Sequence, residues 1–206
     1  MKAQTLICAT VLAVASALII NQVLAQDRKE GKQTTESQEM MKAWMEASTP
    51  GESHRFLGRF IGRWETAARM WWAGAAQTPS EFKGTAEIKW IMDGRFLLEE
   101  QNGQVMGKPH KSMVITGYDN YKKKFFSSFI DNMQTGMYTS EGTLDQSGKI
   151  LTYHGKMDEP MTGERDKLFR SVVRIINKDE YVLEVYDLVG TPEEFKAVEI
   201  TYKRKP

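Results

Sequence analysis

The sequence predicts an all-β protein: an antiparallel up-and-down barrel of about ten strands, preceded by short N-terminal helices. Three observations carry this. The hydrophobic period changes from 3.6 to 2 near Arg63 and stays at 2 to the end of the chain. Turn-forming residues recur at spacings of about 8–12 residues. The connections are too short for the crossovers that parallel strands need, which excludes a Rossmann-type sheet. A long meander with one apolar face removes its edges most simply by closing on itself; a β-sandwich is the alternative.

The chain opens with a segment of another kind. Residues 1–25 read MKAQTLICATVLAVASALIINQVLA. Lys2 is a short positive start, Leu6 to Ile20 carry no charge, and Val23-Leu24-Ala25 offers small or modest side chains where a signal peptidase cuts. The expectation is a cleaved export signal, a periplasmic or extracellular bacterial protein, and no stable membrane insertion after cleavage. An uncleaved anchor helix is the competing reading. Cys8 is the only cysteine. It lies early in the apolar run, behind Ile7, which does not suit a lipid anchor. Its removal takes away disulfides, thiolate catalysis, cysteine-type zinc sites and iron–sulfur clusters together.

Of the 206 residues, 28 are Lys or Arg and 27 are Asp or Glu. Such a balance gives no general attraction for nucleic acid or an anionic membrane. At 41% hydrophobic and 27% charged, the composition is that of a globular domain and not of a disordered chain.

Residues 26–39 are polar, without aromatic or large aliphatic side chains, and read as a flexible linker. One domain is expected over 40–206. Its first helix is EMMKAWMEAST, with Met41, Trp44 and Met45 at helical spacing and Pro50-Gly51 as the stop. ESHRFLGRFIG forms a second short helix, with Phe56, Leu57, Phe60 and Ile61 on one face and Ser53 or Thr49 as cap. This helical segment is placed to plug one mouth of the barrel.

Trp64, Met70 and Trp72 alternate in the first strand. In SEFKGTAEIKWIMDG, Phe82, Gly84, Ala86, Ile88, Trp90 and Met92 share the apolar face, with charged residues between them. Further strands are expected over 95–102, 110–118, 123–131, 135–144, 149–157, 165–177, 180–189 and 194–204. The breaks carry turn chemistry, including Asp93-Gly94, Asn102-Gly103, Asp119-Asn120, Gln146-Ser147-Gly148 and Asn177-Lys178-Asp179. Gly84, Gly117, Gly142 and Gly155 read as bulges and bends rather than a phosphate cradle.

Gly62-Arg63-Trp64 stands at the helix-to-strand junction, and Arg204 shares the apolar face of Val198, Ile200 and Tyr202. In a closed meander the first and last strands are neighbours, so Gly62, Trp64 and Arg204 form a candidate closure with a cation–π contact. This Gly-x-Trp opening with a terminal basic residue resembles the signature of the calycin superfamily. The pieces HRFLGRFIGRWE, MDGRFLLEE, ITGYDNYKKKF, FIDNMQTG, EGTLDQSGKILTYHG, DEPMTGE and EITYKRK occur in an order that resembles the uncharacterised bacterial family known as domain of unknown function 1579. The resemblance runs from about His54 to Lys205. It implies a calycin-like barrel, related in architecture to lipocalins, fatty-acid-binding proteins and haem-binding nitrobindins. It implies no activity.

No metal-ligand spacing joins the three histidines, His54, His110 and His154. Each reads as structural or surface, and the resemblance supplies no haem ligand among them, so no cofactor is expected and haem stays as an alternative. Inward polar residues are the stronger lead. If Arg170, Arg174 and Glu184 face the interior they would orient a polar or anionic group; the alternative is an exposed ladder of ion pairs. Trp72 and Trp90 are candidate apolar walls, with Phe82, Phe96 and Tyr202 as further inward residues. Asp119 and Asp131 read as turn residues, with a carboxylate pair for acid–base work as the rival. The function expected is non-enzymatic binding of a small, partly apolar molecule inside the barrel. The alternatives are a haem protein, an enzyme using internal carboxylates and a packed barrel serving as an interaction domain.

Overall fold

The structure is a computed structural model and describes residues 34–72, 74–160 and 162–206. The expected export signal and residues 26–33 of the expected linker lie outside them. The described residues fall into two units, divided between Thr49 and Pro50. In the first, helix α1 occupies 34–48. Residues 34–39, read from the sequence as flexible linker, are therefore helical. Glu and Gln are good helix formers, and they let the helix extend upstream of Met40. Met40, Met41, Trp44 and Met45 are exposed on it.

The second unit opens with α2 (Glu52–Leu57), a 3₁₀ turn (Gly58–Phe60), and then ten strands: β1 (Gly62–Met70), β2 (Ser80–Ile91), β3 (Phe96–Val105), β4 (Lys108–Asp119), β5 (Lys124–Asp131), β6 (Tyr138–Leu144), β7 (Ile150–Glu159), β8 (Glu164–Asn177), β9 (Glu180–Asp187) and β10 (Phe195–Arg204). Each pairs antiparallel with its sequence neighbours, and β1 pairs with β10 to close the barrel. Closure leaves no free edge to recruit another chain. The cap of α2 is not Ser53 or Thr49. Gly51 is the N-cap, and its N–H donates to Nδ1 of His54 at 3.1 Å. Thr49 turns back instead, its hydroxyl donating to the Met45 carbonyl.

Residues of one parity line the interior along each strand. One expected turn is a strand: Gly103 lies inside β3, paired with Gly84 of β2. A Cβ on Gly84 would stand 2.6 Å from the Asn102 carbonyl oxygen, so the strand backbones need glycine there. The actual reversal is Met106-Gly107, both at positive φ (52° and 75°) between the paired Val105 and Lys108, as a tight two-residue hairpin requires. Gly142 and Gly155 are not bulges either. They are seats for cross-strand rings, those of Tyr153 and Phe169. Register shifts lie at Met157/Glu159, Ile175/Asn177 and Lys196/Val198.

One end of the barrel is plugged. Leu57 and Phe60 enter from α2 and the 3₁₀ turn and meet Trp64, Phe125, Tyr181 and Tyr202 in one buried cluster. Trp64 is 1% exposed and directly opposite Arg204 in register. The Arg204 guanidinium lies 4.1 Å from the Trp64 ring centre, and its nitrogens donate to the carbonyls of Ile61, Arg59 and Lys178. Gly62 sits at φ 129°, where a Cβ would stand 2.6 Å from Arg204 Nη1. Trp64 Nε1 donates to the Phe60 carbonyl at 2.8 Å, which ties the plug to the first strand.

Candidate functional site: an internal cavity with a polar floor

Above the plug, the barrel encloses a cavity of about 580 Å³. Its walls are mostly aliphatic and aromatic, with Val114, Leu183, Val185 and Ile200 among them. The cavity extends to the end opposite α2, where Trp72 and Met133 line it and are themselves exposed. Phe82, Met70 and Met157 also belong to this mouth; methionine adapts readily to an occupant's shape.

The floor is polar. Tyr202 Oη donates to Glu99 Oε1 at 2.9 Å, and Gln101 Nε2 reaches both Glu99 Oε1 (2.6 Å) and Tyr202 Oη (2.7 Å). Glu99 lies deep in the barrel, and burial pushes its carboxyl above the ordinary range despite the two hydrogen bonds that work the other way. Tyr202 stacks on Tyr181 at 4.2 Å between ring centres. Burial raises the hydroxyls of Tyr153, Tyr181 and Tyr202, so all three are neutral at physiological pH. One orphan lies beside this group: Ser112, paired with Gln101 in register, has a buried Oγ with no hydrogen bond.

A second polar cluster stands nearer the mouth. His110 Nε2 is 3.5 Å from Asp131 Oδ2, while Asp131 Oδ1 accepts from the N–H groups of Met133 and Gln134. The Tyr138 hydroxyl donates to Gln134. Asp131 thus serves a turn and also faces His110. Asp119 serves only its own turn, accepting from the N–H groups of Tyr121 and Lys122. The two aspartates flank opposite ends of β5 and do not form a carboxylate pair.

Arg170, Arg174 and Glu184 do not line the cavity. The inward residues of β8 are Phe169, Ser171 and Val173, and those of β9 are Tyr181, Leu183 and Val185, so parity turns the charged set outward. There it forms the ladder of ion pairs. Glu184 accepts from Arg174 Nε at 2.8 Å and Lys196 Nζ at 3.2 Å. Burial works to raise the Glu184 carboxyl, but these two cations hold it below its usual range. Arg170 pairs with Glu194 and lies over the Tyr186 ring. The arginine stems flank Val172, which is 2% exposed on this outer face.

The tryptophans divide. Trp72 lines the mouth, its Nε1 donating to Ser80 Oγ at 3.3 Å. Trp90 packs against the plug near Gly58 and is not part of the cavity wall. Phe96 is turned outward as well, and with Phe126 it covers Gly117 from outside. Of the histidines, only His110 lines the cavity; His54 belongs to the plug and His154 is exposed. No group of three or more metal-binding side chains occurs among the described residues. No helix among them is long and apolar enough to cross a membrane.

The floor residues Glu99, Gln101, Tyr153 and Tyr181 were not singled out from the sequence. For Glu99 a signal existed: alternation from the apolar Leu97 sends it inward, but the doublet Glu99-Glu100 reads as a solvated pair.

A family model described as a protein of unknown function, DUF1579, matches residues 49–204. No curated protein matches the chain. Among solved structures, Rv2717c from M. tuberculosis is similar with a TM-score of 0.55 at 15% identity, covering 77% of this chain and 100% of that one. That likeness concerns the fold alone. A redesigned β-barrel aligns with a TM-score of 0.38 at 10% identity, covering 74% of this chain and 96% of that one.

Proposed function

The chain belongs to the DUF1579 family, and from that premise we propose that it is a non-enzymatic binding protein holding one small, largely apolar molecule inside the barrel. The observation that carries this reading is the cavity of about 580 Å³, a volume within the usual range for small-molecule sites, bounded by apolar walls with a few convergent polar groups. Barrel diameter grows with strand number, and eight strands already suffice for side chains to fill the interior. Ten strands leave space here although Phe82, Phe129, Tyr138 and Phe169 also line the walls.

The other readings have less support. A packed scaffold would need Trp72, Trp90 and Tyr202 to fill the interior, whereas they lie at the mouth, in the plug and at the floor. Acid–base catalysis lacks its carboxylate pair. Haem needs an axial donor, and the one cavity histidine, His110, turns its Nε2 to Asp131. Export after Ala25 belongs to the same proposal and rests on residues 1–25 alone. Protein from the native host is expected to begin at Gln26 by N-terminal sequencing; a membrane-bound chain keeping residues 1–25 overturns export.

The test of binding is native mass spectrometry of that same protein, combined with titration by an uncharged apolar fluorophore. A retained small molecule, or saturable fluorescence lost in Val114→Trp, is expected. Absence of both removes the binding reading, and a Soret band in the purified protein replaces it with the haem reading.

A further inference from the structure

We infer that the cavity floor recognises the uncharged polar end, a hydroxyl or carbonyl, of an otherwise apolar molecule, and discriminates against carboxylates and ammonium ions. This rests on the binding reading above and specifies the chemistry of its ligand.

The first support is a set of hydrogen-bonding groups without partners. Tyr153 and Tyr181 are 5% and 6% exposed and line the cavity. Neither hydroxyl has a hydrogen bond to any described residue, and neither is sealed off from the cavity space as Ser112 Oγ is. Glu99 Oε2 is in the same position: both of that side chain's bonds go to Oε1. Buried polar groups left without partners are costly, and proteins seldom keep several together without something to satisfy them. A ligand hydroxyl can donate to or accept from such a group, and a carbonyl can accept from a tyrosine hydroxyl.

The second support is the distribution of charge. A carboxylate brought to the floor would need a cation, and the floor offers none. Lys83 borders the cavity near the mouth, but it pairs with Ala67 on the outer parity of β2 and β1 and is exposed. Arg204 lies behind the Trp64 ring with its nitrogens committed to three backbone carbonyls. Lys167 stands at the mouth, paired with Asp187 at 2.8 Å and Glu164 at 3.7 Å. His110 is also near the mouth, against Asp131. An ammonium ion would have to ionise Glu99, the one carboxyl at the floor, inside an apolar surround, where an ion pair gains little over its desolvation cost. Burial of Glu99 acts in the same direction by favouring its neutral form.

Three ten-carbon probes of equal length separate the possibilities: decan-1-ol, decanoate and decylamine. Each competes at pH 7 with N-phenyl-1-naphthylamine, an uncharged fluorophore, on the purified chain. Decan-1-ol is expected to bind at least about tenfold more tightly than either ion, the scale set by one unsatisfied buried polar group or more. The double variant Tyr153→Phe, Tyr181→Phe keeps both rings and is expected to lose about tenfold in decan-1-ol affinity, because the site then meets the ligand hydroxyl with fewer partners. Its melting temperature should not fall, since the hydroxyls removed bond to nothing in the protein. If the double variant melts early, Tyr153→Phe alone reports the same loss to a smaller extent. Decanoate or decylamine binding as tightly as decan-1-ol overturns the inference and leaves the binding reading intact. So does bound fluorophore that none of the three displaces, or unchanged decan-1-ol affinity in the variants. No saturable fluorophore binding removes both.

Discussion

Around α2 the barrel is filled with interlocked rings, and Trp64 and Tyr202 are each 1% exposed; at the opposite end the same strands surround space, and Trp72 is 39% exposed. Both ends are built on the same period-2 pattern, and both carry a tryptophan that borders the interior, Trp64 within β1 and Trp72 in the turn just past its end. The difference lies in what enters from outside the sheet. At the closed end, α2 and its 3₁₀ turn bring Leu57 and Phe60 into the core, and Arg204 ties that turn to the last strand through backbone carbonyls. Nothing described does this at the mouth. Stability is thus concentrated at one end of the axis and space for a ligand at the other.

The largest test of this division is Trp64→Ala. It removes a fully buried ring, the Phe60 hydrogen bond and the surface under Arg204, and about 3–5 kcal/mol of unfolding free energy should be lost in urea denaturation. A loss below about 1 kcal/mol would show that the plug does not carry the fold. Gly142→Ala comes next. Its Cβ would stand 2.6 Å from Tyr153 Cδ1 and 2.7 Å from the Thr152 carbonyl oxygen. The backbone atom cannot move cheaply, so a cost of about 1–3 kcal/mol is expected. Gly136→Ala, in the β5–β6 connection at the mouth, meets nothing within 4 Å and should change stability by less than about 0.5 kcal/mol. Equal effects at the two glycines would erase the contrast between the ends.

Much of the closed end was legible because it depends on pattern. The change of period at Arg63, the parity of Arg204 with Tyr202 and the apolar face of Phe56, Leu57 and Phe60 all specify which side chains meet. Turn chemistry was less reliable. Asn102-Gly103 has a hairpin's composition, yet Gly103 is consumed by the close approach to Gly84, and Met106 takes the left-handed conformation that sequence alone would not give to methionine. The linker reading failed at 34–39 because polar composition does not distinguish a solvated helix from a loop. The binding floor was hidden for another reason. Parity tells which residues face inward, but only the closed register shows that Glu99 and Gln101 on β3 meet Tyr202 on β10, across a barrel and about a hundred residues apart in sequence. Assigning Arg170, Arg174 and Glu184 to either face required knowing which parity was apolar, and Val172 between the arginines is buried on the outside.

The ends should also differ in their response to pH. His54, in the plug, accepts a hydrogen bond from the Gly51 N–H on Nδ1, which needs a neutral ring. Burial and the charge of Arg95 lower its proton affinity below the ordinary 6.5, against a smaller opposing contribution from the Tyr118 backbone. Its contribution to stability is therefore complete above pH 6.5 and is lost as pH falls toward the folded value. Glu99, at the floor, is shifted the other way, upward from 4.5 by burial. Its contribution is complete below pH 4.5 and is lost as pH rises through the folded value. Each slope is bounded at about 1.4 kcal/mol per pH unit for one proton. Denaturation between pH 4 and 8 should show His54→Gln flattening the loss on the acid side and Glu99→Gln flattening the loss on the alkaline side. If Glu99→Gln leaves the alkaline side unchanged, the floor carboxyl is not held neutral by burial.

A modest stability effect is expected where the binding effect is largest for a single rim residue. Trp72 is 39% exposed, and its indole N–H has one hydrogen bond, to Ser80. Water replaces that partner easily, and the open part of the ring gains nothing from the core. Trp72→Ala should therefore lower unfolding free energy by about 1 kcal/mol, well below the loss for Trp64→Ala. The same ring borders the mouth, so an occupant that reaches the rim covers it and gains the contact. Removing it should weaken N-phenyl-1-naphthylamine binding, mainly by faster dissociation, since an open rim shields the bound molecule less. Stopped-flow displacement measures this directly. A stability loss comparable to that of Trp64→Ala would mean that the mouth is packed as the plug is. An unchanged dissociation rate would mean that the ligand enters and leaves without passing Trp72.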